Sequence, residues 1–174
     1  MAIVLNKILR DPEKQRKLSN LVTDLLPFID TLKVEKLADK SFMFKLKETY
    51  AKNNEYLPAA FISDGTINIV ALIVALYFSD TSFTIIEEPE RNLHPSLISK
   101  VVEMMKDASK QKQTLITTHN PEMIKYADLE DIFFISRDED GFSQITRPAD
   151  SKQVKIFLEN EIGMDELYIQ NLLG

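Results

Sequence analysis

The sequence predicts an α/β domain with a mainly parallel sheet and flanking helices, preceded by a helix and two short antiparallel strands. Three observations carry this. From residue 60 onward, short apolar runs alternate with helical patterns over 64–78, 83–88, 95–108, 113–118, 121–126 and 131–136, the order that βαβ units produce. Residues 83–86, with Thr84 as the one polar member, and 132–135 read as continuous apolar runs, as expected of parallel strands buried on both faces. Before residue 60 the texture is different: one amphipathic helix, then two alternating strands and a polar loop. The chain therefore divides into a variable helix-plus-hairpin segment, 1–60, and an α/β portion, 61–174.

In chain order, Asp11-Pro12 opens a helix over 12–28, the acid as cap and the proline in the first turn. Leu18, Leu21, Val22, Leu25 and Leu26 share one face. Strands over 31–37 and 41–48 are joined by the turn Ala38-Asp39-Lys40, with Phe42, Phe44 and Leu46 alternating inward. A polar loop fills 51–57. The run 67–78, broken by Asn68, reads as a buried helix and is well short of the roughly 20 residues a membrane span needs. After 136, the Asp140-Gly141 turn introduces a closing strand over 142–147, and helices over 151–160 and 165–173 complete the chain.

Composition narrows the function. The net charge is −6 and there are no cysteines, which excludes disulfides and thiolate zinc sites. The acidic balance, with only a small cluster at Lys14, Arg16 and Lys17, argues against this segment as a main nucleic-acid contact, while leaving nucleic acid open for a longer parent protein. The apolar start is too short for a signal peptide. With no membrane segment evident, the expected setting is cytoplasmic.

Three short motifs sit where elements end. The strand Phe83-Thr84-Ile85-Ile86 runs into Glu87-Glu88-Pro89. Paired carboxylates at one strand end suit phosphoryl transfer to water, one supporting Mg²⁺ and one orienting or deprotonating the water; alternation along a strand lets the two serve different partners. Ser63-Asp64-Gly65-Thr66 precedes the long apolar helix. A helix N-terminus attracts phosphate, Ser63 adds a hydroxyl, and Gly65 permits close backbone approach; plain helix capping accounts for the same residues. His119 follows the strand 113–118, where α/β sheets bind ligands, and is placed either to contact a phosphate or to cap the next helix.

In this order and spacing the motifs resemble the C-terminal half of the ABC-type ATPase head, nearest to RecF-like and OLD-like AAA-type ATPases of the P-loop NTPase class. The resemblance covers residues 61–135 well and the flanks more loosely. It implies that Ser63, Asp64, Gly65 and Thr66 form the signature that contacts the γ-phosphate of ATP held by a partner subunit. It implies that 83–88 is Walker B, with Glu87 at the magnesium position, directly or through water, and Glu88 as catalytic base. Asn92, Leu93 and His94 then fall in the D-loop at the dimer interface, and His119 is the switch histidine. Two departures stand out: Glu87 replaces the usual Asp, and neither a GxxxxGK[ST] loop nor the Q-loop region occurs in the sequence. The expectation is a part of an ATPase that needs an N-terminal Walker A segment and a second head, and that does not hydrolyse ATP alone. Two other readings stay open. One is a Toprim-like metal nuclease using Glu87 or Glu88 with Asp138 and Asp140. The other is a non-catalytic dimerisation or regulatory module.

Overall fold

The computed structural model describes residues 1–52 and 55–173. The chain forms two compact units, Met1–Thr117 and Thr118–Gly174. The expected boundary at residue 60 concerns motif content; compactness divides the chain after Thr117.

The first unit opens with α1 (Ala2–Leu9), a helix not foreseen from the sequence. Its N-cap, Met1, makes no side-chain capping bond, so the usual start signal is lacking. Leu5 and Ile8 bury one side of it. In α2 (Pro12–Leu25) the Asp11 carboxylate accepts from the N–H groups of Glu13 and Lys14. This helix stops three residues before the expected end because Pro27 forces Leu26 out of the helical region (φ −129°, ψ 74°). Strands β1 (Ile29–Lys36) and β2 (Phe42–Glu48) pair antiparallel, and the short β3 (Leu57–Pro58) adds to β2. Phe44 and Leu46 are buried, as their alternation predicts. The polar loop expected over 51–57 lies partly outside the described residues, and its last residue belongs to β3.

A 3-10 turn, Ala59–Phe61, leads into α3 (Asp64–Tyr77). Its buried residues Thr66, Ile69, Val70, Leu72, Ile73, Val74 and Leu76 occur around much of its circumference, so α3 is the buried helix expected, packed against α2 and α4 (Ile98–Ser109). A second 3-10 turn, Pro95–Leu97, precedes α4 and takes up what the pattern reads as the helix's first residues. Strands β4 (Phe83–Glu87) and β5 (Gln113–Thr117) form a parallel pair in register from Phe83↔Gln113 to Glu87↔Thr117.

These strands correct one expectation. They are not buried on both faces: Phe83, Ile85 and Leu115 remain 46%, 59% and 47% exposed, while Thr84, Ile86, Thr114 and Ile116 are half-buried. One face of the parallel pair is apolar and open.

The second unit contains α5 (Pro121–Lys125), the antiparallel hairpin β6 (Phe134–Arg137) and β7 (Ser143–Thr146), α6 (Lys152–Glu159) and α7 (Met164–Ile169). The strand expected over 131–136 starts later, because Leu129–Asp131 is a 3-10 turn. Its core is Ile124, Val154, Leu167 and Leu173, with Phe134 packed edge-on against Tyr168 (centroids 6.2 Å apart). Here too an expected doubly buried run has one open side: Ile135 and Ile145 face each other across the hairpin and are 64% and 68% exposed. No helix among the described residues is long and apolar enough to cross a membrane.

Candidate active site

The parallel pair ends at Glu87, and its ladder is extended by one bond, Glu88 N–H to the Thr117 carbonyl at 2.8 Å. Glu88 itself has left the strand, with φ of +43° in the left-handed region. The strand alternation invoked to separate the two carboxylates therefore stops at Glu87; a turn directs Glu88. For a residue with a Cβ this conformation costs about 1–2 kcal/mol, and such residues gather at functional sites. Glu87 is exposed and Glu88 half-buried.

The loop beyond is tightly wound. Arg91 N–H donates to the Glu88 carbonyl and Leu93 N–H to the Glu90 carbonyl, both at 3.0 Å. Pro89 and Glu90 are buried, and Asn92 is again left-handed at φ +62°. At the loop's end the His94 ring caps the Pro95–Leu97 turn: Nδ1 accepts from Ser96 N–H at 3.3 Å and lies 2.8 Å from Ser96 Oγ.

The N-terminus of α3 meets this loop. Ser63 Oγ accepts from Thr66 N–H at 3.3 Å and shares a 2.9 Å hydrogen bond with Thr66 Oγ1. Ser63 thus serves as the cap that the sequence allows, and it stays exposed together with Asp64, while Thr66 is buried. Gly65 has a reason the sequence reading missed. A Cβ on it would lie 2.4 Å from the Asn92 carbonyl oxygen, so its missing side chain makes room for the protein's own loop. Further along, Asn68 Nδ2 donates to the Arg91 carbonyl at 3.1 Å. Asn68 was visible in the sequence only as a break in an apolar run. Glu88, the residues 91–93 and the start of α3 are in this way joined by named contacts.

His119 belongs to the second unit, where it is exposed. The capping alternative for it does not hold, because Asn120 caps α5, its Oδ1 accepting from Glu122 N–H at 3.0 Å. In the β6–β7 turn, Asp138 accepts from the N–H groups of Asp140 and Phe142 and from Gln144 Nε2. That commitment to a turn explains Asp138 without a nuclease metal, and no group of three or more His, Cys, Asp or Glu side chains placed to hold a metal occurs among the described residues. Lys17, from the basic cluster, lies over the Tyr77 and Phe78 rings at 5.2 and 5.8 Å from their centroids.

The donor set at the strand end, two adjacent carboxylates without a third ligand, does not form a protein-only metal cage. It does fit Mg²⁺, which commonly takes one or two carboxylates and completes its shell with water and phosphate oxygens.

Comparison with known proteins defines the class. The fold is that of an SMC-type ATPase head. A solved chain from work on ATP-driven dimerization and DNA-stimulated activation of SMC ATPases superposes with a TM-score of 0.64 at 20% identity, over 90% of this chain and 97% of that one. The Smc head domain with a coiled coil and joint from Pyrococcus yayanosii gives 0.61 at 19% identity, over 85% of this chain and 29% of that one. The chain belongs to the family described as "AAA domain, putative AbiEii toxin, Type IV TA system", whose model matches residues 2–125. The chromosome partition protein Smc of Fusobacterium nucleatum subsp. nucleatum is 29% identical over 114 residues, 63% of this chain. The chain spans 9% of that protein's length.

Proposed function

We propose that the chain is the C-terminal part of an ATP-hydrolysing head that works as a nucleotide-sandwiched dimer. The observation that carries this reading is Glu88: a carboxylate held in a strained turn at the end of a parallel strand, one short loop away from a serine-capped helix N-terminus. In this reading ATP lies on the Walker A loop of one head and the exposed Ser63, with Asp64, Gly65 and Thr66, closes over its γ-phosphate from the other. Glu88 accepts the proton of the attacking water. Glu87 helps hold Mg²⁺, which neutralises charge on the phosphates when bound. His119 maintains the γ-phosphate geometry, and Asn92, Leu93 and His94 run along the interface between heads.

The Walker A loop comes from an N-terminal segment that completes the nucleotide site. Support for such a segment is the open apolar face formed by Phe83, Ile85 and Leu115, since a sheet face of that kind is normally covered. The similar solved chain associated with ATP-driven dimerization is consistent with two such heads closing on nucleotide.

Glu88→Gln in the protein supplied with its Walker A segment is expected to lower turnover by about 10²–10⁴ while ATP binding, read by equilibrium dialysis, is retained. Undiminished turnover in that variant removes Glu88 from the mechanism.

A further inference from the structure

Asn68 is a polar residue in the apolar run 67–78, and its side chain has a definite task. Its amide donates to the Arg91 carbonyl at 3.1 Å. Three residues earlier, on the same side of α3, Gly65 faces the Asn92 carbonyl so closely that a Cβ would come within 2.4 Å of the oxygen. Two consecutive carbonyls of the loop are thereby seated on the first turns of α3. Between this seat and Glu88 the loop has little freedom. Arg91 N–H is bonded to the Glu88 carbonyl, Leu93 N–H to the Glu90 carbonyl, and Pro89 and Glu90 are buried. A segment wound this tightly passes a displacement at Arg91 on to Glu88 instead of absorbing it.

We propose that Asn68 is a positioning residue that ties the strand end bearing Glu88 to the helix bearing Ser63, so that docking of Ser63 on a partner-held phosphate sets the orientation of Glu88 in its own head. The inference rests on the ATPase reading above. It requires a side-chain donor at this position. Leucine has the same number of side-chain heavy atoms, branched at the same carbon, and a higher helix propensity but no donor. Aspartate offers only acceptors to the Arg91 carbonyl. Glutamine keeps the amide on a longer stem.

Two measurements test this on Asn68→Leu, Asn68→Asp and Asn68→Gln. In the chain itself, hydrogen exchange at the Arg91 and Leu93 amides is expected to accelerate at least tenfold in the Leu and Asp variants and to be partly restored in the Gln variant, with no fall in the melting temperature of Asn68→Leu. Unchanged exchange overturns the tie, whatever the chain hydrolyses. In the protein supplied with its Walker A segment, Asn68→Leu is expected to lower kcat about ten- to hundredfold with KM for ATP and ATP-driven dimerisation unchanged. An intact kcat overturns the positioning role, as does a parallel loss of kcat and dimerisation, which marks damage to the signature helix. Absence of turnover in the unsubstituted protein overturns the ATPase reading and the catalytic purpose of the tie, while the exchange measurement still decides whether the tie exists.

Discussion

Glu88 shows how a single residue carries both strain and chemistry. Its left-handed backbone at φ +43° is held by two hydrogen bonds, from its own N–H to Thr117 and from Arg91 N–H to its carbonyl. Glycine adopts this conformation without a Cβ penalty. Glu88→Gly is therefore expected to raise unfolding stability by about 1 kcal/mol, measured by urea denaturation, while it removes the carboxylate on which the proposed hydrolysis depends. A stability loss in that variant would mean that the side chain, rather than the turn, holds the loop. The sequence made Glu88 legible as an acid at a strand end, because an apolar run stopping at two carboxylates and a proline is visible in any reading. It did not reveal the turn, since glutamate has no preference for left-handed backbone and nothing in the local string announces one. Gly65 was legible as a position of close approach, but the approaching group, the Asn92 carbonyl, is 27 positions away in the chain and no local pattern names it.

Among the elements, α3 and α4 are linked by Tyr77, whose single hydroxyl proton is shared between the Met104 carbonyl and Asp107 Oδ2, both at 3.1 Å. Lys112, in the turn between α4 and β5, ties that turn to α3, its ammonium donating to the Ala75 carbonyl near the C-terminal end of α3 at 2.7 Å. Burial, and then the hydrogen bond to the Asp107 carboxylate, push the Tyr77 phenol up to about 12. A phenol whose folded pKa is raised stabilises the fold below its unfolded value, near 10, and loses that contribution as pH rises through the folded value. The stability gap between the wild-type chain and Tyr77→Phe, about 1 kcal/mol at neutral pH, is thus expected to close between about pH 10 and 12. Parallel thermal melts of the two proteins check this, and a gap constant with pH contradicts it. Most helices were readable at this scale because their caps are written locally: Asp11, Ser63, Asn120 and Ser151 each bond an early N–H group of the helix they open. Among the described helices α1, α4 and α7 start without a side-chain cap; α1, which the sequence did not announce, depends on burying Leu5 and Ile8, a cause that lies outside its own residues.

For the molecule as a whole, the open faces are the main departure from expectation. In the first unit, Ile85 and Leu115 are cross-strand neighbours and both are about half exposed. Replacing both by threonine places β-branched side chains suited to a strand at both positions and changes little that is buried. The double variant is expected to unfold within about 0.5 kcal/mol of the wild-type chain, yet to bind the proposed Walker A segment at least tenfold more weakly by calorimetry. Equal binding would place that segment elsewhere. Apolar runs correctly located the strands but not their burial, because hydrophobicity records what a surface needs covered and not whether the covering group lies in the same stretch of sequence.

The order and chemistry of the chain alone settled where strands end in carboxylates, where helices begin at capping side chains and which element types alternate, since periodicity and capping act over a few neighbouring residues. The three-dimensional fold settled the rest: the strained turn at Glu88, the loop carbonyls seated on Gly65 and Asn68, and the open side of the β4–β5 pair. Each depends on groups far apart in sequence competing for the same space or the same hydrogen bond, and that competition exists only once the chain is packed.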